Sequence, residues 1–149
     1  MQPLPADLEE WLKRFAAAVR ARDMQYGRTL FADDAVSFGT VCFRTESLGE
    51  LASRQWLTVW PNTRDFDFDY ASAVAMVDAA HATVLATWTS TGFLAGDQPV
   101  ERIGRATLVL RRSPSGWKAV HSHFSIAPTP DHDPVLRHAP SPVDDPQLP

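Results

Sequence analysis

The chain has 149 residues and a formal net charge of −4, and 44% of its residues are hydrophobic and 21% charged. This length suits one domain with a hydrophobic core, and the composition is typical of a globular protein.

No basic stripe is present, so nucleic acid is not an expected partner. No apolar run approaches the roughly 20 residues of a membrane span. Cys42 is the only cysteine, which excludes a disulfide within the chain. With no secretory signal at the N-terminus, we expect a cytoplasmic location.

The first predicted element is an amphipathic helix. Asp7 and Glu10 have the spacing of a capping box, with Asp7 as the N-cap. Apolar residues then recur at helical spacing up to Val19, and Arg22 with Asp23 ends the pattern. One face of this helix must therefore be buried against another element.

Two further helices and a strand are expected before residue 63. A short helix is predicted over about residues 24–31, followed by a strand over residues 36–43. Ser47 precedes a second apolar pattern of helical spacing, which Pro61 and Asn62 terminate.

From Phe66 onward the apolar period changes to two. Three long β-type segments are predicted over residues 81–91, 100–112 and 117–126, joined by loop-like connections as in antiparallel hairpins. Helices followed by a strand meander predict an α+β fold with helices on one face of an antiparallel sheet. Residues 127–149 hold seven of the twelve prolines, so we expect residues 1–126 to form the domain and the rest an extended or disordered tail.

Two local stretches carry a resemblance to a known superfamily. Residues 30–35 read Leu-Phe-Ala-Asp-Asp-Ala and resemble the helix-to-first-strand corner of ketosteroid isomerases and SnoaL-like proteins. Residues 104–112 and 116–125 are similar to the last hairpin of the SnoaL-like branch of the nuclear-transport-factor-2-like superfamily, which includes the association domain of calcium/calmodulin-dependent kinase. The resemblance implies a cone-shaped α+β barrel, with N-terminal helices packed on a strongly curved antiparallel sheet around one small-ligand pocket.

The resemblance also argues against ketosteroid isomerase chemistry. The three positions that match the isomerase Tyr and two Asp residues are Phe15, Gly39 and Thr107. Phe15 and Gly39 cannot donate or abstract a proton, and Thr107 is a poor substitute for a neutral carboxylic acid. The acid/base Asp that SnoaL-type cyclases direct into the cavity has no counterpart either, since Arg105 lies at a matching position.

The same matching predicts an aromatic pocket with one charged residue. We expect Arg105 to anchor an acidic or carbonyl-bearing ligand, because a guanidinium in an apolar cavity needs an anionic or accepting partner. The alternative is a structural role, with Arg105 paired to an acid such as Glu101 or Asp69, or placed at the rim of the cavity. No motif predicts a cofactor or a metal site. The predicted ligand-binding residues are Phe15, Trp56, Trp60, Trp88, Arg105, Thr107, Ser122 and Phe124.

His121 and His123 are weak catalytic candidates. They share one strand face about 7 Å apart, and no further ligand at recognisable spacing completes a metal site. The matching places them opposite the pocket, together with Trp117 and Ala119. A role in a sheet-to-sheet contact between two copies is therefore the leading interpretation.

Three functions remain open at this point. The first is a small-molecule binding protein. The second is a non-enzymatic oligomerisation module, and the third is a pathway enzyme such as a cyclase, isomerase or dehydratase. A homodimer is expected in each case, because the predicted outer sheet face is too apolar to be left bare. That face comprises Thr83, Leu85, Thr87, Trp117 and Ala119.

Overall fold

The computed structural model describes residues 1–129, which form seven strands and a set of N-terminal helices. Helices α1 and α2 span Ala6–Ala21 and Met24–Thr29. Residues 48–62 form one composite helix, in which α3 (Leu48–Glu50) and α4 (Leu57–Val59) flank a π-helix (Leu51–Trp56) and a 3₁₀ turn (Trp60–Asn62) ends the segment. The strands are β1 (Gln2–Pro3), β2 (Phe31–Phe38), β3 (Arg64–Phe68), β4 (Val74–Val77), β5 (His81–Phe93), β6 (Pro99–Ser113) and β7 (Gly116–Ile126).

The strands build one curved sheet in the order β1-β4-β5-β6-β7-β2, and β3 pairs with the far half of β5. Every pairing is antiparallel except that of β2 with β7, which is parallel. The predicted cone-shaped α+β fold is thereby confirmed, with one parallel pair added to the expected antiparallel sheet. No helix within residues 1–129 has the length and hydropathy to cross a bilayer.

The three long predicted strands occur, each one or two residues longer at its ends than expected. The first strand differs more, because β2 begins at Phe31, where a helix was predicted. Phe31 pairs with Ala119 of β7, and its buried ring joins the core, so sheet pairing overrides the local helical pattern. The predicted domain boundary follows β7, which ends at Ile126, and most of the proline-rich tail lies outside the described residues.

The start of α1 differs from the predicted capping box. Pro5 occupies the N-cap, and Asp7 lies inside the first turn. The Asp7 carboxylate accepts a hydrogen bond of 2.8 Å from the indole nitrogen of Trp117, while Glu10 pairs with Arg14 one turn later. Asp7 therefore ties α1 to the start of β7.

The hydrophobic core lies between the helices and the sheet face that they cover, here called the inner face. Cross-strand partners share a face, so the register of β5 and β6 sorts their residues. Trp88 of β5 pairs with Gly104 of β6, and Val84 pairs with Leu108. All four positions are buried, and the alternating residues face the opposite side, here called the outer face. From α1, Leu8, Leu12 and Phe15 are buried against this layer.

A β-bulge interrupts the pairing of β6 with β7. Val109 pairs with His121, but the next residue, Leu110, pairs with Ala119, which leaves Val120 as the extra residue. The extra residue turns the start of β7 over, so that Trp117 and Ala119 are buried on the inner face. Their predicted placement on the outer face is therefore wrong.

Candidate ligand-binding site

A cavity opens between α1, the composite helix and the inner face of β5, β6 and β7. Its volume is about 60 Å³. Such a space holds a few water molecules or a small organic group. The lining residues are Phe15, Val19, Phe38, Gly39, Thr40, Leu51, Gln55, Trp56, Val59, Trp60, Thr63, Phe66, Trp88, Arg102, Ser122 and Phe124.

Seven of the sixteen residues in the wall are aromatic. The indole rings of Trp56 and Trp60 are stacked, with centroids 4.6 Å apart. Phe15 lies at the centre of the cluster, 5.9 Å from the ring of Trp60 and 6.0 Å from that of Phe124. Trp56 belongs to the π-helix, a feature that is frequent at functional sites. The cluster provides flat, largely rigid surfaces suited to a planar ligand.

Among residues 1–129, Arg102 of β6 is the one ionisable residue that lines the cavity. Its side chain is half-buried, and within residues 1–129 it forms no ion pair with a carboxylate. Burial lowers the pKa of the guanidinium, which nevertheless stays charged at neutral pH. The charged residue of the cavity is therefore Arg102, three residues before the predicted Arg105.

Three inner-face residues of β5 hold the Arg102 side chain. Its Nη1 donates a hydrogen bond of 3.3 Å to Ser90 Oγ, and its Cζ lies 5.3 Å from the centre of the Trp88 ring. Gly92 completes the row, because a Cβ at this position would lie 2.7 Å from Cδ of Arg102. Trp88, Ser90 and Gly92 are two residues apart on one strand and therefore share a face. We call these three residues the Arg102 track.

Six of the eight predicted ligand-binding residues line the cavity: Phe15, Trp56, Trp60, Trp88, Ser122 and Phe124. Arg105 and Thr107 do not, and their predicted inward placement is wrong. Arg105 pairs with Thr87 and Thr107 pairs with Leu85, which puts all four on the outer face. Arg105 is exposed, and in the described part of the chain it forms an ion pair with neither Glu101 nor Asp69.

The polar groups of the wall give no acid/base pair. Apart from Arg102 they are the hydroxyl and amide side chains of Thr40, Gln55, Thr63 and Ser122. Of the three positions that match the isomerase machinery, Phe15 and Gly39 line the cavity and Thr107 lies outside it. The arrangement can therefore bind a ligand and stabilise negative charge, but the described part of the chain places no carboxylate or imidazole in the wall to move a proton.

Gln55, which the sequence analysis did not single out, fixes one rim of the cavity. Its Oε1 accepts hydrogen bonds from the backbone amides of Val41 (3.1 Å) and Cys42 (2.8 Å). Its Nε2 donates to Thr40 Oγ1 at 3.1 Å. Gly39 passes so close that a Cβ there would lie 2.5 Å from the Gln55 amide. One buried side chain thus holds the whole turn from Gly39 to Cys42.

His121 and His123 lie outside the cavity wall. Their rings contact Phe38, with centroids 5.0 and 5.4 Å from that of the phenyl ring. His121 Nδ1 lies 2.8 Å from the carbonyl oxygen of Val36, so this nitrogen carries the proton and donates it. Among residues 1–129 no group of three potential metal ligands comes together.

The chain belongs to a SnoaL-like domain family, whose model matches residues 8–130. A comparison with curated proteins finds no match.

Several solved structures share the fold. A ketosteroid isomerase-like protein from Erwinia carotovora atroseptica superposes with a TM-score of 0.71 at 20% identity, covering 83% of this chain and 96% of that one. A protein provisionally named a dehydratase of the NTF2-like family, from Streptomyces avermitilis, gives 0.70 at 19% identity, covering 83% and 95%. A provisionally named calcium/calmodulin-dependent kinase II association domain from Xanthomonas campestris gives 0.70 at 17%, covering 86% and 93%. Identities this low establish the fold alone.

Proposed function

We propose that this protein binds a small acidic or carbonyl-bearing aromatic molecule in the cavity, with Arg102 as its anchor. The observation that carries the proposal is a half-buried guanidinium that has no carboxylate partner within residues 1–129 and lies in a wall of aromatic, aliphatic and neutral polar side chains. Partial burial without an anionic acceptor disfavours the charged guanidinium, whose geometry matches carboxylate and carbonyl acceptors. A ligand that supplies the acceptor offsets this cost.

The cavity favours a ligand the size of a single ring over a steroid. Its volume of about 60 Å³ leaves little space once the Trp56 and Trp60 rings are stacked in place. A pathway enzyme of the cyclase, isomerase or dehydratase type is the second candidate, supported by the dehydratase name of one structural neighbour. Any such reaction would depend on Arg102 for charge stabilisation, since the wall as formed by residues 1–129 contains no base.

Replacing Arg102 tests the proposed anchor. Small aromatic acids and ketones are screened by thermal unfolding against the parent protein, Arg102→Gln and Arg105→Gln. A ligand at about 100 times its dissociation constant adds roughly 2.7 kcal/mol of stability, or about 5–10 °C for a domain of this size. We expect this shift in the parent and in Arg105→Gln, whose side chain lies on the outer face, and its loss in Arg102→Gln.

The two arginine variants form a matched pair on one strand. Equal shifts in both would show that Arg102 is not the anchor. If no compound stabilises the parent protein, the binding proposal itself fails and the oligomerisation module becomes the better explanation.

We also propose a homodimer formed through the outer face, in a cytoplasmic setting consistent with the single buried thiol of Cys42. Thr83, Leu85 and Thr107 are only half-buried on this face, and no other element within residues 1–129 covers it. Ile103 adds an exposed apolar side chain. Two such faces would bury each other's apolar surface.

Leu85→Lys tests the homodimer. A lysine at the centre of the face should convert a particle of twice the chain mass into one of 16.5 kDa in light scattering, with an unchanged circular dichroism spectrum. Leu57→Lys is the control, since Leu57 is exposed on α4. A parent protein that already runs at the single-chain mass would contradict the proposal.

A further inference from the structure

We infer that the cavity selects a ligand with a single carboxylate on a flat aromatic frame, in preference to a neutral carbonyl compound or a phosphate dianion. The inference rests on the proposed ligand site and commits it to one chemical class. Three features support it: the hydrogen-bond donors of Arg102, the charge of the cavity wall and the β5 residues that hold the Arg102 side chain.

The polar end of the cavity has more hydrogen-bond donors than acceptors. Arg102 carries five N–H donors, and its one side-chain hydrogen bond is the 3.3 Å contact with Ser90. A neutral carbonyl offers one oxygen, whereas a carboxylate offers two and can accept two parallel bonds from an arginine.

The charge in the cavity wall also favours a monoanion. Arg102 contributes one positive charge, and residues 1–129 add no second cation and no carboxylate to the wall. A single carboxylate therefore neutralises the site. A neutral amide would leave the guanidinium uncompensated, and a phosphate dianion would bring a second, unpaired negative charge into aromatic surroundings.

The Arg102 track holds the side chain of Arg102 in one orientation. Gly92 is buried, and its missing side chain leaves the space in which Cδ of Arg102 lies. Beyond it, Ser90 holds Nη1 and the Trp88 ring lies against Cζ. An arginine oriented before binding loses less conformational entropy when it forms a bidentate pair. Gly92 is therefore a positioning residue that acts through Arg102.

The experiment compares four ligands that share one phenyl ring. Benzoate, benzamide, benzaldehyde and phenyl phosphate are titrated into the parent protein by calorimetry at neutral pH. Hydrogen bonds to charged groups predict that benzoate binds roughly ten- to a hundred-fold more tightly than benzamide. Benzaldehyde and phenyl phosphate should also bind more weakly than benzoate.

Two variants separate charge from packing. Arg102→Gln should reduce the ratio of benzoate to benzamide affinity to about one, because both ligands keep their contacts with the aromatic wall. In Gly92→Ala the new Cβ displaces the arginine stem, so this ratio should fall by about tenfold while benzamide binding changes little. Gly49→Ala is the control, since a Cβ there would lie 3.8 Å from its nearest neighbour.

The outcomes distinguish this inference from the proposed function. Benzamide or benzaldehyde binding as tightly as benzoate, with Arg102→Gln weakening all of them, would overturn the carboxylate preference and leave the ligand site standing. Tighter binding of phenyl phosphate would overturn the monoanion assignment. Binding of none of the four would overturn the proposed function and the inference together.

Discussion

Gly104→Ala is expected to destabilise the protein by about 3 kcal/mol or more, a large effect for a change of one methyl group. The added Cβ would lie 2.1 Å from Cζ2 of Trp88 and 2.3 Å from the backbone oxygen of Ser125. The indole could turn away only by leaving the core, and the strand oxygen could move only by breaking the pairing of β6 with β7. The midpoint of urea unfolding measures the loss.

Gly49→Ala again serves as the control for this prediction. Gly49 lies in the short helix α3, where its φ is not positive and the nearest atom to a new Cβ is 3.8 Å away. Alanine there should leave stability unchanged or raise it by up to about 1 kcal/mol. Equal midpoints for the two variants would mean that Trp88 does not pack against the backbone at Gly104.

The element order could be predicted because the apolar period is unambiguous over long segments. The alternation from Phe66 onward predicts strands, and β5, β6 and β7 occur within two residues of their predicted ends. The start of β2 could not be predicted in this way. The predicted helix extends to Phe31, and only pairing of Phe31 with Ala119, far along the chain, makes this position the start of a strand.

The faces of β6 were misassigned although the strand carries the signal. Ala106, Leu108 and Leu110 alternate with Arg105 and Thr107, and this pattern alone puts the apolar residues inward. The matching by resemblance placed the other set inward, and a shift of one residue reverses every side chain of a strand. The pairing of Gly104 with Trp88 supplies the physical reason for the observed choice, because only glycine leaves space for the indole.

Neither the inward orientation of the first residues of β7 nor the role of Arg102 could be predicted from the sequence, and the reasons differ. The bulge at Val120 has no glycine or other local mark, so the inward turn of Trp117 and Ala119 follows only from the pairing with β6. Arg102 lies before the stretch that carries the resemblance. Its role depends on Ser90 and Trp88 of the neighbouring strand, which the sequence does not place beside it.

The aromatic part of the site was more predictable than its polar part. Aromatic residues at helical spacing on α1 and the composite helix must point into the core, so Phe15, Trp56 and Trp60 line the cavity as expected. Polar groups carry no such periodic signal. Gln55 lies in the same helical segment, yet its importance arises from a turn thirteen residues earlier that needs a buried acceptor.

Gln55→Leu is the second substitution with a large expected effect. Leucine has a similar size but accepts no hydrogen bond, so the amides of Val41 and Cys42 lose their partner. An unsatisfied buried donor costs about 1–3 kcal/mol, and we expect a destabilisation of this size from the Cys42 amide, because Val41 is exposed and its amide can bond to water. Urea unfolding measures this loss, with Gln25→Leu on the exposed surface of α2 as the control, expected within about 0.5 kcal/mol of the parent.

Hydrogen exchange distinguishes a local effect of Gln55→Leu from general weakening. The amide of Cys42 should exchange much faster in the variant, because only the Gln55 oxygen protects it. The amide of Thr45, which donates to the carbonyl oxygen of Ser37, should keep its protection relative to global unfolding. Since Gly39 and Thr40 line the cavity, a released turn should also weaken binding of any ligand there. Unchanged exchange at Cys42 would show that Gln55 does not hold the rim, and the cavity would then owe its shape to the aromatic cluster alone.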